Sequence, residues 1–226
     1  MVKHFHHELD RLKKELFILS AMVEEAVHLA VRAVMERNQD YSAQVLGNDS
    51  AIDQKEVEIE EECLKILALY QPVAADLRYI IVVLKMNNDL ERIGDLAVNI
   101  AHRASSLMKL GKPAVNFDFS EMSRKVQEML RQALESLVNL DAELATSVCQ
   151  ADDLVDELNR QMHNRIRSEI RANIDDLESL TYYMSVSRNL ERIADHATNI
   201  AEDVVYLVDG IIIRHGGKDA GESSRG

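Results

Sequence analysis

Glu91, Asp95 and Asn99 stand four residues apart, a spacing that stacks side chains along one face of a helix. Oxygen ligands in such a row suit hard or borderline cations such as Fe, Mn or Mg. The same three residue types recur as Glu191, Asp195 and Asn199. Asp49 and Asp53 form a second short row, and Asp152 and Asp156 repeat it 103 residues on. Brought side by side, an Asp row and a Glu/Asp row make a carboxylate site that needs a metal or basic groups. A solvated acidic face is the alternative. Solvent, however, does not require Asn at 99 and again at 199 amid neighbours that differ, so the pattern favours a binding role. Asp49 and Asp152 also fall in register with apolar seams, where an unpaired charge is costly, unless the seam opens to solvent there. Arg92 and Arg192 follow the Glu directly and are expected to pair with a carboxylate across helices or to contact a partner. An ordinary surface salt bridge is the competing account.

Other chemistries lack a constellation. Glu25 and His28 have the spacing of half a ferritin-like di-iron motif, but such a site needs a second copy on a facing helix, and the second half offers none. There is no phosphate-cradling glycine loop and no Gly-x-Ser-x-Gly turn. Cys63 and Cys149 share no short motif and read as small buried hydrophobes.

The elements that carry these rows are helices. Phe5, Leu9, Leu12, Leu16, Leu19, Val23, Ala26, Ala30 and Ala33 step by four and three alternately, the period of helices packed lengthwise. A second helix is expected over about 41–70, with a kink or short break near Gly47 and Asn48. Its seam is Val45, Asp49, Ile52, Glu56, Ile59, Cys63, Ile66 and Tyr70. Pro72 separates it from a third, about 74–110, with a seam of Val83, Met86, Leu90, Ile93, Ala97, Ile100, Ala104 and Leu107. Gly111, Lys112 and Pro113 then stop the helix. Helices over roughly 119–140, 142–172 and 175–208 repeat the plan, and the Gly-, Ser- and charge-rich stretch 216–226 is expected to be disordered.

The two halves are related residue by residue. Positions 90–101 and 190–201 are identical at nine of twelve places. Asp76 and Leu77 return as Asp176 and Leu177, while Ile52 returns as Val155. An internal duplication follows: an all-α chain of six long helices as two pseudo-symmetric three-helix bundles, 1–112 and 113–215. Only 4% of the 226 residues are aromatic, none is Trp, and Gly and Pro are few, all in keeping with long helices. The net charge of −13 speaks against duplex nucleic acid and anionic membrane surfaces, and for basic patches and metal cations as partners. The N-terminus has no apolar run of the signal-peptide kind, so a cytosolic protein is expected, peripheral to membranes only through partners.

Residues 90–101, doubled at 190–201, resemble the signature of the PhoU family. The stretch Gln71, Pro72, Val73, Ala74, Ala75, Asp76, Leu77, Arg78 is similar to the family's link into its third helix, and residues 210–215 to its usual finish. The resemblance implies a non-enzymatic cytosolic accessory protein of the Pst phosphate ABC transporter. Such proteins work with the transporter's ATPase subunit and relay phosphate sufficiency to a sensor histidine kinase, as negative regulators of the starvation response, often as homodimers. It further implies iron, zinc or another divalent or trivalent metal ion at Asp49, Asp53, Glu91 and Asp95, and at Asp152, Asp156, Glu191 and Asp195. Asp76, Arg78, Arg92, Asn99, Arg192 and Asn199 would serve as partner contacts or supports. The alternative is a carboxylate-bundle metal enzyme or store. Two departures separate the halves: Arg78 has Glu178 at its repeat position, and Glu56 has Asn159.

Overall fold

The computed structural model describes residues 2–110, 115 and 117–210, and among them there are six α-helices and no strand. The helices are α1 (Val2–Met35), α2 (Gln39–Tyr70), α3 (Ala74–Lys109), α4 (Ser120–Asn139), α5 (Ala142–Ala172) and α6 (Leu177–Asp209). A 3-10 turn, Ile174–Asp176, leads into α6. The chain is all-α, as its patterning predicts. The expected helix stop at Gly111, Lys112 and Pro113, and the disordered stretch 216–226, lie outside the described residues.

Local signals set the helix ends. The Asn38 side chain accepts a hydrogen bond from the Asp40 amide at the start of α2, and Asp141 accepts from the Leu144 amide at the start of α5, each satisfying a donor that the first turn leaves unpaired. Gln71 in the left-handed conformation closes α2 just before Pro72. The break expected near Gly47 and Asn48 is absent: α2 runs through both without interruption. Buried Ser42, Val45 and Ile52 anchor the helix on either side. Tertiary packing of that kind outweighs the helix penalty of about 1 kcal/mol that Gly carries.

The apolar seams are the core. Every seam residue named for α3 is buried, as are those of α1 except the half-buried Phe5. In α2 the apolar members from Val45 to Ile66 are buried, while Asp49, Glu56 and Tyr70 are half-exposed. Within the first half α1, α2 and α3 pack mutually; α6 packs on α4 and α5 in the second, and α4 on α5. The halves meet through α3 on α6 and α1 on α4. The partners in the first interface, Lys85 with Asp203, Asp89 with Asn199 and Arg103 with Tyr182, show that α3 and α6 run antiparallel. In the second, His28 meets Gln127 and Arg131 acts on Glu24, so α1 and α4 are antiparallel too. Both registers are those of a two-fold relation between the repeats.

One packing detail shows how the repeats diverged while keeping their volume. Gly94 has no room to spare: a Cβ there would sit 3.2 Å from Ile52 Cγ2 and 3.6 Å from its Cδ1. The corresponding residues of the second half are Val155 and Ala194, both fully buried. The first half has gained a methylene on α2 and lost a methyl on α3, so the volume of the pair is nearly conserved. Gly94→Ala alone is expected to be destabilising, because crowding of about 1–3 kcal/mol outweighs the gain of about 1 kcal/mol in helix propensity. Combining it with Ile52→Ala, which removes the crowding Cγ2, should relieve the crowding. Urea unfolding of the two single variants and the double should show favourable coupling of about 1 kcal/mol; strict additivity would refute the compensation.

Candidate carboxylate site

Each half presents the same construction. In the first, α2 carries Asp49 and Asp53 and α3 carries Glu91 and Asp95. These α3 positions lie beside the buried stripe of Leu90, Ile93, Ala97 and Ile100 and reach the edge of the α2–α3 contact. Glu91 retains 23% and Asp95 45% of its side-chain exposure, Asp49 is half-buried and Asp53 exposed. The two rows feel each other. The Asp49 carboxyl is raised from its ordinary pKa by burial first, then by Asp53 and Asp95. Glu91 is raised by burial and then by Asp95, with smaller repulsion from Glu56 and Asp53.

The second half does likewise and more strongly. Asp152 is pushed up to about 6 by burial, then by Asp195 and Asp156. Glu191 is raised by burial, Asp195 and Asp156, and Asp195 by burial and Asp156. The structure thus places all eight sequence-predicted carboxylates in two mutually repelling sets, one per half.

Arg92 behaves differently from the cross-helix expectation. It bends along its own helix, lying 3.3 Å from Glu91 and 3.2 Å from Asp95. With its side chain 53% exposed, it makes a surface pair of small energetic worth. It nonetheless supplies compensation along a row whose sequence shows no basic residue in register. Arg192 lowers Asp195 from nearby but forms no ion pair among the described residues. Asp76 is exposed in the first turn of α3. Arg78 is half-buried, with an Nε that finds no hydrogen-bond partner among the described residues. Asn99 is exposed. Asn199 turns to the other half, its Nδ2 3.4 Å from Asp89 Oδ1 on α3.

Two partners of these rows escape sequence reasoning. Asn87, one turn before Glu91 on the same row, is buried, and its Nδ2 donates to the backbone carbonyl oxygen of Glu56 at 2.8 Å and to Glu56 Oε1 at 3.3 Å. In the second half the pair is replaced by Ser187 donating to Asn159 at 2.7 Å. His196, beside Asp195, lies 2.8 Å from Asp89. Repeat positions where residue type changes were the signal: 56 and 159, 87 and 187, 96 and 196.

The donor set suits a hard or borderline cation chemically: carboxylate oxygens, partly desolvated, whose charges oppose one another. Among the described residues, no three His, Cys, Asp or Glu side chains are gathered closely enough to hold a metal ion. The thiols stand apart from this chemistry, burial pushing Cys63 up to about 12 and Cys149 up to about 11. No helix among the described residues is long and apolar enough to cross a membrane.

The PhoU domain family matches this chain twice, at residues 16–104 and 119–204. The phosphate-specific transport system accessory protein PhoU homolog of Pseudomonas putida is 40% identical over 219 residues, which span 95% of this chain and 84% of that protein. The homolog of that name in Aquifex aeolicus is 38% identical over 210 residues, 92% of this chain and 94% of that protein. The crystal structure of PhoU from Pseudomonas aeruginosa superposes with a TM-score of 0.89 at 37% identity, covering 92% of this chain and 100% of that one. That of the phosphate transport system regulatory protein PhoU from Streptococcus pneumoniae gives 0.85 at 28% identity, covering 92% of this chain and 98% of that one.

Asp152 gives a pH test with a definite sign. Its folded pKa of about 6 lies above the ordinary value near 3.9. The folded state therefore holds the proton more tightly, and the group's contribution to stability falls as pH rises from about 4 to about 6. In metal-free buffer Asp152→Asn should melt higher than the parent at pH 7.5, and the gap should close toward pH 4. A gap independent of pH would refute the shift.

Proposed function

The chain belongs to the PhoU family, and on that premise we propose that it is a cytosolic, non-enzymatic regulator of phosphate uptake and phosphate homeostasis. In this reading it is a negative regulator that acts on the Pst phosphate ABC transporter through the ATPase subunit, and on the phosphate-sensing histidine kinase. The observation that carries the proposal is the doubled Glu-Arg-Ile-x-Asp-x-Ala-x-Asn-Ile-Ala run, placed at corresponding positions of α3 and α6. Relatives that match nearly the whole chain are named as accessory proteins of the phosphate-specific transport system. That supports a role in phosphate transport.

The physical case rests on shape and charge. Helices of 31 to 36 residues give long, rigid faces, and the net charge of −13 steers basic patches toward them. A regulator shifts a partner's equilibrium only by binding its states with different affinity. Two related but unequal half-sites supply such a difference by engaging two partners at once. A homodimer would double that surface.

We further propose that the acidic rows hold a metal ion, iron, zinc or another divalent or trivalent cation. Asp49, Asp53, Glu91 and Asp95 would hold it in one half, and Asp152, Asp156, Glu191 and Asp195 in the other. Bound there, a cation would neutralise the opposed carboxylates and tie α2 to α3 and α5 to α6. The residues that act are the chain's own: the rows concentrate charge, and the Arg92 guanidinium offsets part of it in the first half.

Deleting the gene in its source organism should leave phosphate-starvation genes on in phosphate-rich medium. Replacing Glu91 and Asp95 together with Ala should weaken repression. Normal repression and unchanged phosphate uptake in the deletion strain would overturn the regulatory reading. Elemental analysis of purified protein reads the metal separately. Content should fall by about half in Glu191→Ala/Asp195→Ala, and metal that survives loss of both α3 and α6 rows would sink this assignment.

A further inference from the structure

The two repeats carry opposite charge along their middle helices. Residues 56–68 of α2 include five glutamates and one lysine. The corresponding residues of α5, 159–171, include four arginines, no lysine and one glutamate. Core packing does not require the change, since the buried Ile52 and Cys63 of α2 correspond to the buried Val155 and Ile166 of α5. Arg160, Arg167 and Arg171 stand seven and four residues apart, so they form one stripe of α5 about 16 Å long. Their counterparts Val57, Leu64 and Ala68 bear no charge. The fourth arginine, Arg165, leaves the stripe and lies over the Phe117 ring, 5.2 Å from its centre.

The stripe runs along the edge that α5 shares with α6. His163, three residues after Arg160 and four before Arg167, is half-buried there, and its Nε2 has no hydrogen-bond partner among the described residues. Burial lowers the His163 ring from its ordinary pKa, and Arg167 of α5 and Arg188 of α6 lower it further, against a hydrogen bond to the Met184 backbone. Two helices therefore bring guanidinium groups near one ring. Arg160, Arg167, Arg171 and Arg188 are all exposed. Arg160 pairs with Glu157 of its own helix at 2.7 Å, a surface contact of small worth. The other three form no ion pair among the described residues. Like charges gathered in this way repel, and the counter-charge that would relieve them is not supplied by α4, α6 or the 3-10 turn, the elements on which α5 packs.

We propose that Arg160, Arg167 and Arg171 of α5, widened by Arg188 of α6, bind an acidic helical segment of a partner protein. The stripe is straight, and a helix laid antiparallel beside it with carboxylates at i, i+4 and i+11 meets it one for one. Arginine is the residue whose planar fork takes a carboxylate through two hydrogen bonds. A membrane or a nucleic acid spreads its charge far beyond the stripe and would face the rest of a chain whose net charge is −13. An acidic helix presents its charge along the stripe alone. The inference stands apart from both the phosphate-uptake reading and the metal reading.

Fluorescence anisotropy of the full-length protein with a labelled, alanine-rich helical peptide bearing Glu at i, i+4, i+7 and i+11 reads this binding. The peptide should bind, and more weakly as salt rises. Arg167→Ala/Arg171→Ala should weaken it by about fivefold. Arg11→Ala/Lys14→Ala, which removes the same charge from exposed positions of α1, should leave it unchanged. No binding, equal weakening by the two pairs, or equal binding of a peptide of the same composition with its Glu scattered round the helix overturns the proposal. Phosphatidylglycerol vesicles that sediment the parent but not the arginine variant would assign the face to a membrane. A dimer that the arginine variant dissociates would assign it to the acidic α2 of a second copy. Either result overturns the proposal as well.

Discussion

The antiparallel packing of α3 against α6 is the contact on which the rest depends. It joins the two halves, and its register fixes where every polar row ends up. Lys85 with the buried Asp203 and Asp89 with His196 pin one end; the Arg103 guanidinium over the Tyr182 ring, 5.6 Å from its centre, pins the other. A buried carboxylate such as Asp203 is tolerable only with its cation in place, so the ion pair selects this register over a slipped one. Because both helices spend their apolar stripes on this interface and on α1 or α4, their acidic rows are left at the edges that meet α2 and α5. Among the described residues α2 and α5 do not touch. Each carboxylate set is therefore a property of one half.

The sequence made the helices and their buried faces readable because the 3.5-residue seams are nearly free of polar residues. Leu9 to Ala33 and Val83 to Leu107 in steps of three and four are all buried. The alignment of the acids along single helix faces was readable for a related reason: a four-residue step stacks side chains on one face of a helix. Interactions between halves were not. Lys85, Asp89, Arg103, His196 and Asp203 make their contacts across a sequence gap of about 80 to 120 residues, and no local spacing encodes such a pairing. The uninterrupted α2 was misread near Gly47 because propensity is local, whereas Val45 and Ile52 hold that helix through contacts made elsewhere.

Arg92 marks another boundary of legibility. Its position next to Glu91 suggests a side chain leaving the acidic row, since consecutive residues on a helix point about 100° apart. A guanidinium on a long stem nonetheless reaches an i+3 carboxylate, and Arg92 folds back onto Asp95. Its repeat, Arg192, carries the same side chain in nearly the same local sequence without closing that pair. The difference lies in surroundings. Asp195 faces His196 and Asp156, and His196 is itself drawn to Asp89 of the other half.

Divergence between the repeats has thus acted on charge compensation more than on shape. Volume is conserved where it matters to the core, as Ile52 with Gly94 and Val155 with Ala194 show. Charge is not. The first set keeps Glu56 close by, bound to Asn87, and has Arg92 in contact. The second has Asn159 in place of Glu56, bound to Ser187, and buries Asp152 until its carboxyl titrates near 6. Burial and its acidic neighbours thus make Asp152 hold its proton more tightly than an ordinary carboxylate does. The first carries more acid but also its own internal cation. One scaffold, duplicated, therefore presents two acidic surfaces that differ in burial and in the cation already beside them.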